Sequence, residues 1–449
     1  MAFMDKFVSI ILPVRNEERY IDGCLRSIIA QDYPHDLMEI LVIDGQSSDG
    51  TVDKINEFKA ESSKFKEGPD SSVSRAGKQT QNDGVGIRVI DNPDRTVPYA
   101  MNLGITNAKG DIILRFDGHA VMEPDYVSNC VKYIEQTKAD NVGGPAQNIT
   151  DGTITGQSIA MSHNSAFGLG GGAFRMGNYE GFTDTVTFGC FPKETFAKYG
   201  LYDTRLTRNQ DIELNARIRK GLRLNSEFRI LNSEYGPGKI YLTPKIKSYY
   251  YCRNTLRGLW SQNFRNGQWV VYTKYIAPYS LSLRHFIPLI FVAFLIMLVT
   301  LAAVYHPQTP VGAQLLSGVK KAMGMRTSIY AGLFDLGRWD LRLGALRLLM
   351  LELVAYFLAM LLFVVKAGQT KFTVYNLKFK GTKKNIEDGI QNIDKNENSK
   401  FDIQNSRFSF GSLALLPLVF MTLHFSYGLG SIWGLITLPY YSLKFKAES

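Results

Sequence analysis

The sequence predicts a parallel α/β domain followed by an α-helical membrane region. Three observations carry that prediction. In the first 115 residues short apolar runs alternate with stretches of helical periodicity. Acidic residues close two of those runs, Asp44 and Asp117. In the last third, charge-free stretches are long enough to cross a bilayer.

Val8 to Leu12 is an apolar run that ends in Pro13-Val14-Arg15-Asn16-Glu17-Glu18. It reads as a strand, a loop and then a helix from about Glu18 to Gln31, with Ile21, Leu25, Ile28 and Ile29 at helical spacing. Met38 to Ile43 is a second strand closed by Asp44. Gly45-Gln46-Ser47-Ser48-Asp49-Gly50-Thr51 follows as a turn and helix start, capped by Ser48 or Asp49. Residues 62–86 are rich in Ser, Gly, Lys and Gln and read as a polar surface insertion. Ile87 to Ile90 is a third strand, and Pro98 to Ala108 a helix carrying Met101, Leu103 and Ile105. Short links between these elements imply right-handed crossovers in a parallel sheet.

The fourth strand, Gly110-Asp111-Ile112-Ile113-Leu114, runs into Arg115-Phe116-Asp117-Gly118-His119. Asp117 and His119, at i and i+2, point to the same side of an extended chain. They lie where ligands bind in open α/β sheets, past the strand's carboxyl end. A carboxylate and an imidazole so placed could hold a divalent cation, the imidazole favouring Mn²⁺ over Ca²⁺. Taken alone, the pair also reads as a turn with a satisfied histidine, and Asp44 as a turn or capping residue. No G-x-G-x-x-G follows the first strand and no G-x-x-x-x-G-K-[ST] is present, which disfavours a dinucleotide dehydrogenase and a P-loop enzyme. Farther on, Arg208-Asn209-Gln210-Asp211-Ile212-Glu213-Leu214-Asn215 opens a helix with Ile212, Leu214 and Ile218 toward its core, stopped by Gly221. Asp211 and Glu213 in its first turn either compensate the helix dipole or supply a general base at the mouth of a site.

The net charge is +10, which suits an anionic membrane surface or phosphate substrates. No nucleic-acid motif is present. The four cysteines are far apart and form no C-x-x-C, so neither a disulfide framework nor a zinc site is expected. No secretory signal precedes the first strand, so the α/β domain is expected to stay on the side where it is made.

Residues 241–285 carry Arg253, Arg257, Trp260, Gln262, Asn263, Phe264, Arg265 and Trp269, and are expected to form an amphipathic segment at the membrane interface. Spans are expected at 286–305, 343–365 and about 411–436, the second interrupted by Arg347 and Glu352. Phe408 to Leu443 lacks Lys, Arg, Asp and Glu altogether, leaving room for a re-entrant or interfacial piece through His424-Phe-Ser-Tyr-Gly-Leu-Gly430. Lys and Arg number eight in 239–285, five in 306–342 and nine in 366–407. The positive-inside rule therefore puts the α/β domain and a flexible basic loop, 366–407, on the cytoplasmic side of the cell membrane.

Four ordered motifs resemble family 2 glycosyltransferases of the GT-A fold: VSIILPVRNEE from Val8, VIDGQSSDGT from Val42, Asp117-Gly-His119, and Asn209-Gln-Asp-Ile-Glu-Leu-Asn215. The likeness covers roughly residues 7–270. It is greatest to the succinoglycan-type, ExoA-like glucosyltransferases, whose D-G-H and R-N-Q-D-x-E-L-N patterns are similar, as is the glycine-rich stretch from Phe167 to Arg175. The resemblance implies a nucleotide-sugar donor with uridine as its base, and inversion at the anomeric carbon. It implies that Pro13, Arg15, Glu17 and Asp44 line the nucleoside pocket with Asp117, that Asp117 and His119 hold Mg²⁺ or Mn²⁺, and that Asp211 is the base, with Glu213 as the fallback. Gln262-Asn-Phe-Arg265 followed by Trp269 is similar to the Q-x-x-R-W of polysaccharide synthases, with Asn266 where Trp belongs. Gln262, Arg265 and Trp269 are thus candidates for contact with a diphosphate or with the interface. The expected partners are a nucleotide sugar, a lipid-linked saccharide acceptor and membrane lipids, with no nucleic acid. The alternatives are a polyprenyl-phosphate sugar synthase, a processive polysaccharide synthase and an inactive membrane scaffold.

Overall fold

The computed structural model describes residues 6–64, 85–169, 179–304, 341–369, 374–378, 402–406 and 409–447. Residues 65–84 of the expected polar insertion, 170–175 of the glycine-rich stretch and most of the 366–407 loop lie outside them.

The first half of the chain runs β1 (Val8–Val14), α1 (Ile21–Ile29), β2 (Met38–Asp44), α2 (Thr51–Lys64), β3 (Gly86–Asp91), α3 (Val97–Asn107), β4 (Ile112–Arg115), β5 (Ala120–Met122) and α4 (Tyr126–Thr137). It continues with β6 (Asn141–Gly144), β7 (Ala146–Ile149), α5 (Ile154–His163), α6 (Ala166–Leu169), β8 (Gly181–Phe182), β9 (Thr187–Pro192), α7 (Glu194–Tyr199) and α8 (Gln210–Arg219). Then come β10 (Leu222–Leu224), β11 (Ile230–Asn232), β12 (Ile240–Leu242), β13 (Ser248–Tyr251) and α9 (Leu256–Ile276). The remaining elements are α10 (Ile287–Val304), α11 (Leu341–Gln369), β14 (Val374–Lys378), β15 (Asp402–Ser406) and α12 (Phe410–Ala447).

The main sheet has the order β3-β2-β1-β4-β9-β6-β12-β8. β3, β2, β1 and β4 are parallel, in register Val8 with Met38 and Ile112. Alternate residues of these strands enter two cores. Ile10, Leu12, Ile40 and Val42 pack with Ile21, Leu25 and Ile28 of α1 on one face. Ile11, Leu41 and Ile43 pack with Met101 and Ile105 of α3, and with Leu214 and Ile218 of α8, on the other. Burial on both faces is why these strands read as continuous apolar runs rather than alternating ones. β9 departs from the all-parallel expectation: it inserts antiparallel between β4 and β6. A short apolar run carries no signal of strand direction.

Two further expectations change. The 366–407 segment is not all irregular, because β14 and β15 pair antiparallel and β14 adds to β7 through Tyr375 and Ile149. β14 and β15 thereby join a small sheet with β7, β13 and β5 of the α/β domain. α12 is one continuous helix with no re-entrant break, although Pro417 and Pro439 lie within it. Its glycines are contact points. A Cβ at Gly430 would lie 2.0 Å from Phe264 O, and one at Gly267 of α9 2.0 Å from Tyr427 O. Small residues let the two backbones approach closely, as in membrane helix pairs. Ser431 Oγ donates to Gly267 O at 3.0 Å, and Tyr272 OH meets Thr437 Oγ1 at 2.6 Å. α9, within the segment expected at the membrane interface, is thus packed lengthwise on α12.

Among the described residues three helices are long and apolar enough to cross a membrane: Leu283–Ala303, Gly344–Gly368 and Phe410–Leu443. A third apolar core, including Ile159, Leu259, Met360, Leu416 and Phe420, joins α5, α9, α11 and α12. The α/β domain and the apolar helices therefore share packed surface.

Candidate active site

The strand order reverses between β1 and β4, and the crevice at such a switch point is where open α/β sheets bind ligands. Two groups of side chains line it. The first follows β1 and β2. Asp44 is buried and accepts from Ser47 Oγ at 2.6 Å. Ser47 Oγ in turn accepts from the Asn16 amide at 2.9 Å, and Asn16 Oδ1 from the Ser48 amide at 2.8 Å. Asn16 and Gln46 hold left-handed backbone, φ 57° and 56°. These bonds tie the loop of Pro13 and Arg15 to the end of β2, where Val14 pairs with Asp44.

The second group follows β4. Arg115, the last residue of the strand, is buried, and its Nη2 lies 3.2 Å from Asp117 Oδ1. Its Nη1 lies 3.8 Å from Asp211 Oδ2, at the N-terminus of α8. Burial disfavours the guanidinium, but Asp117 and Asp211 outweigh that and raise its pKa, so it stays charged. One cation thus spaces two carboxylates from distant parts of the chain. Asp211 is half-exposed, and its Oδ1 accepts from the next amide, Ile212, at 3.0 Å.

His119 Nδ1 lies 2.8 Å from Glu17 Oε1. Burial would lower its pKa, but the hydrogen bond and charge of Glu17, with Asp117, raise it. Glu17 therefore orients the imidazole, as carboxylates do for metal-bound histidines. Among the described residues no group of three or more His, Cys, Asp or Glu gathers at metal-binding distance. With Nδ1 engaged, the chain offers Asp117 and His119 Nε2. That small set fits a cation that takes most of its ligands from water and substrate phosphates.

Glu213 is not available as a fallback base. It is fully buried and paired with Arg217, Oε1 to Nε at 2.8 Å and Oε2 to Nη2 at 2.9 Å. Arg217 also donates to Tyr199 O and Leu201 O. The one-turn spacing of Glu213 and Arg217 makes the pair, and core burial leaves no room for substrate. Ile212 is only half-buried, so the core face of α8 is Leu214 and Ile218 with Ala216.

A cavity of about 740 Å³ extends from Arg115, Asp117 and Asp211 to Phe291, Tyr356 and His424 of the apolar helices. Gln262 lines it. Arg265 is exposed; with Arg253 it lies near Arg208, whose pKa is lowered first by burial and then by these two charges. None of the three arginines is in an ion pair among the described residues. Trp269 is not brought to the cavity; it packs edge-on against Tyr272 at 5.4 Å and near Phe445 at 6.3 Å. Arg115 is the residue sequence reasoning left without a role. The available signal was a charge closing an otherwise apolar strand.

This architecture is GT-A-like, an α/β domain with carboxylates at the switch point of a parallel-rich sheet, followed by apolar helices. Comparison with known proteins narrows the class. Residues 9–191 match the model of glycosyl transferase family 2. The dolichyl N-acetyl-alpha-D-glucosaminyl phosphate 3-beta-D-2,3-diacetamido-2,3-dideoxy-beta-D-glucuronosyltransferase of Methanococcus voltae is 29% identical over 266 residues, 58% of this chain and 72% of that one. The succinoglycan biosynthesis protein ExoA of Rhizobium meliloti is 25% identical over 261 residues, 58% and 67% of the two chains. Among solved structures, the mannosyltransferase PcManGT from Pyrobaculum calidifontis, in complex with GDP-Man and Mn²⁺, aligns over 78% of this chain and 87% of its own, with 18% identity and a TM-score of 0.45. Residues 9–191 thus form a glycosyl transferase family 2 domain, and the chain resembles the ExoA-like enzymes.

Proposed function

We propose that this protein is a metal-dependent, inverting glycosyltransferase that moves a sugar from a uridine-diphosphate donor to a lipid-linked saccharide at the cytoplasmic face of the cell membrane. The observation that carries the reading is the Arg115 bridge: it sets Asp211 beside Asp117 at one end of a cavity whose other end is membrane helix. Pro13, Arg15 and Asp44 hold the nucleoside. Asp117 and His119, the latter oriented by Glu17, hold Mg²⁺ or Mn²⁺, which supplies Lewis-acid stabilisation of the diphosphate.

Asp211 takes the proton of the acceptor hydroxyl as its oxygen attacks the anomeric carbon. The carbon–oxygen bond to the diphosphate breaks, and the nucleoside diphosphate leaves with the electron pair. One displacement inverts the anomeric centre and needs one base. Arg115 keeps Asp211 directed at the site, and Arg208, Arg253 and Arg265, in no ion pair among the described residues, offset the charge of phosphate groups at its edge. The similarity to relatives named for dolichyl-phosphate sugars and succinoglycan supports a lipid-linked acceptor.

The test is release of nucleoside diphosphate by the detergent-purified full chain, screened over nucleotide sugars with Mn²⁺ or Mg²⁺, with and without membrane lipid extract. Release that requires lipid extract, metal and Asp211 supports the proposal. Neither release nor metal-dependent donor binding with any donor refutes it.

A further inference from the structure

The wall of the 740 Å³ cavity changes chemistry along its length. One end holds Arg115, Asp117 and Asp211. The middle is lined by the carboxamides of Asn148, Asn164, Gln262 and Asn266, and the far end by Pro288, Phe291 and Leu423. Asn148 Nδ2 donates to Asn164 Oδ1 at 2.8 Å, and Asn266 Oδ1 accepts from Arg208 at 2.8 Å. Gln262 Oε1 is buried and has no partner among the described residues. An unsatisfied buried carbonyl is costly, so this oxygen calls for a ligand that donates.

The border with the apolar end has the same bias. His424 Nε2 lies 2.7 Å from Phe167 O, and a carbonyl can only accept, so Nε2 carries the hydrogen. In the neutral ring Nδ1 is then an acceptor, and it meets Tyr356 OH at 3.0 Å. The hydroxyl hydrogen of Tyr356 is thereby committed, leaving acceptor lone pairs. Of the arginines on the cavity wall, Arg115 is tied to two carboxylates and Arg284 to Asp184, whereas Arg219, at the C-terminal end of α8, is exposed and in no ion pair among the described residues. An ionised phosphate brings acceptors only, whereas sugar hydroxyls bring donors.

We infer that the amide-lined middle of the cavity is the subsite for the acceptor's terminal sugar, with Gln262 as a specificity-determining residue. The lipid that carries this sugar lies over Phe291, Tyr356 and Leu423. The inference rests on the glycosyltransferase reading above and deepens it, because it favours a sugar-bearing lipid over a bare polyprenyl phosphate as acceptor and moves Gln262 from the diphosphate to the sugar. The cavity volume is in the range, roughly 300–1,000 Å³, of sites that enclose small ligands.

The experiment uses the full chain in phospholipid nanodiscs, with the donor identified by the release screen. The acceptors are undecaprenyl phosphate and undecaprenyl diphosphate bearing glucose, galactose or N-acetylglucosamine. Transfer is expected onto at least one sugar-bearing lipid and not onto undecaprenyl phosphate. Gln262→Ala is expected to raise the acceptor KM about tenfold, the effect of one lost buried hydrogen bond, with donor Kd and melting temperature unchanged. Gln262→Glu, which retains an acceptor oxygen, is expected to recover part of the loss. Transfer onto undecaprenyl phosphate overturns the inference. So does a Gln262→Ala effect on donor Kd equal to that on acceptor KM, or donor binding with no sugar-bearing lipid used. Absence of donor binding by the wild type refutes the glycosyltransferase reading instead.

Discussion

Glu213→Gln separates the two acidic residues at the start of α8. The Glu213–Arg217 pair has no solvent exposure on either side chain, and Glu213 accepts two bonds from Arg217 and one from Tyr279. The glutamine keeps the shape but leaves the Arg217 charge uncompensated in the core. Breaking a buried pair in this way costs roughly 3–5 kcal/mol. The low end applies, because Arg217 keeps its bonds to Tyr199 O and Leu201 O. At about 2–4 °C per kcal/mol for a domain of this size, a loss of about 3 kcal/mol lowers the melting temperature by roughly 6–12 °C. The assay is thermal unfolding of the detergent-solubilised full chain by intrinsic fluorescence, with turnover per folded molecule measured below the transition. Turnover is expected to persist. A variant that melts like the wild type yet no longer turns over would sink the argument, because Glu213 would then act in the chemistry.

Asp211→Asn is the mirror image: half-exposed and 3.8 Å from its cation, it should barely move the melting temperature while kcat/KM falls about 10²–10⁴-fold. Retention of turnover would remove Asp211 as the base. Glu17→Gln is expected to weaken Mn²⁺ or Mg²⁺ affinity about 10–100-fold, because His119 loses its orienting carboxylate; metal titration of donor binding after chelator treatment reads this, and an unchanged titration would show that His119 is not a ligand. Gly267→Leu forces α9 from α12, where even a Cβ meets Tyr427 O at 2.0 Å. A destabilisation of at least about 1–3 kcal/mol is expected, seen as earlier thermal unfolding in detergent; an unshifted transition would mean that the two helices do not pack there.

Much of the fold was legible because burial on both faces writes itself into the chain. Runs such as Ile10-Ile11-Leu12 and Ile40-Leu41-Val42-Ile43 have no polar face, which marks β1 and β2 as interior strands. The charge-free stretches of α10 and α12 were legible for the same reason, since bilayer length and apolarity are local properties. Asp44, Asp117 and His119 were legible as residues that interrupt or close apolar runs. Partnerships were not. Which acid on α8 is buried depends on where the helix is set against β4 and Tyr279, so the sequence ranked Asp211 ahead of Glu213 without showing that Glu213 is closed off. The direction of β9, the addition of β14 to β7, and the use of Gly267 and Gly430 as contact points are likewise decided by distant chain. The sequence alone determined the element types, the apolar helices and the acids at strand ends, because each follows from residue type and local spacing. Only the tertiary structure decided that Arg115 joins Asp117 to Asp211, that Glu17 holds His119, and that an amide-lined cavity connects them to the membrane helices. Those contacts depend on how strands and helices pack in three dimensions, which one-dimensional spacing does not encode.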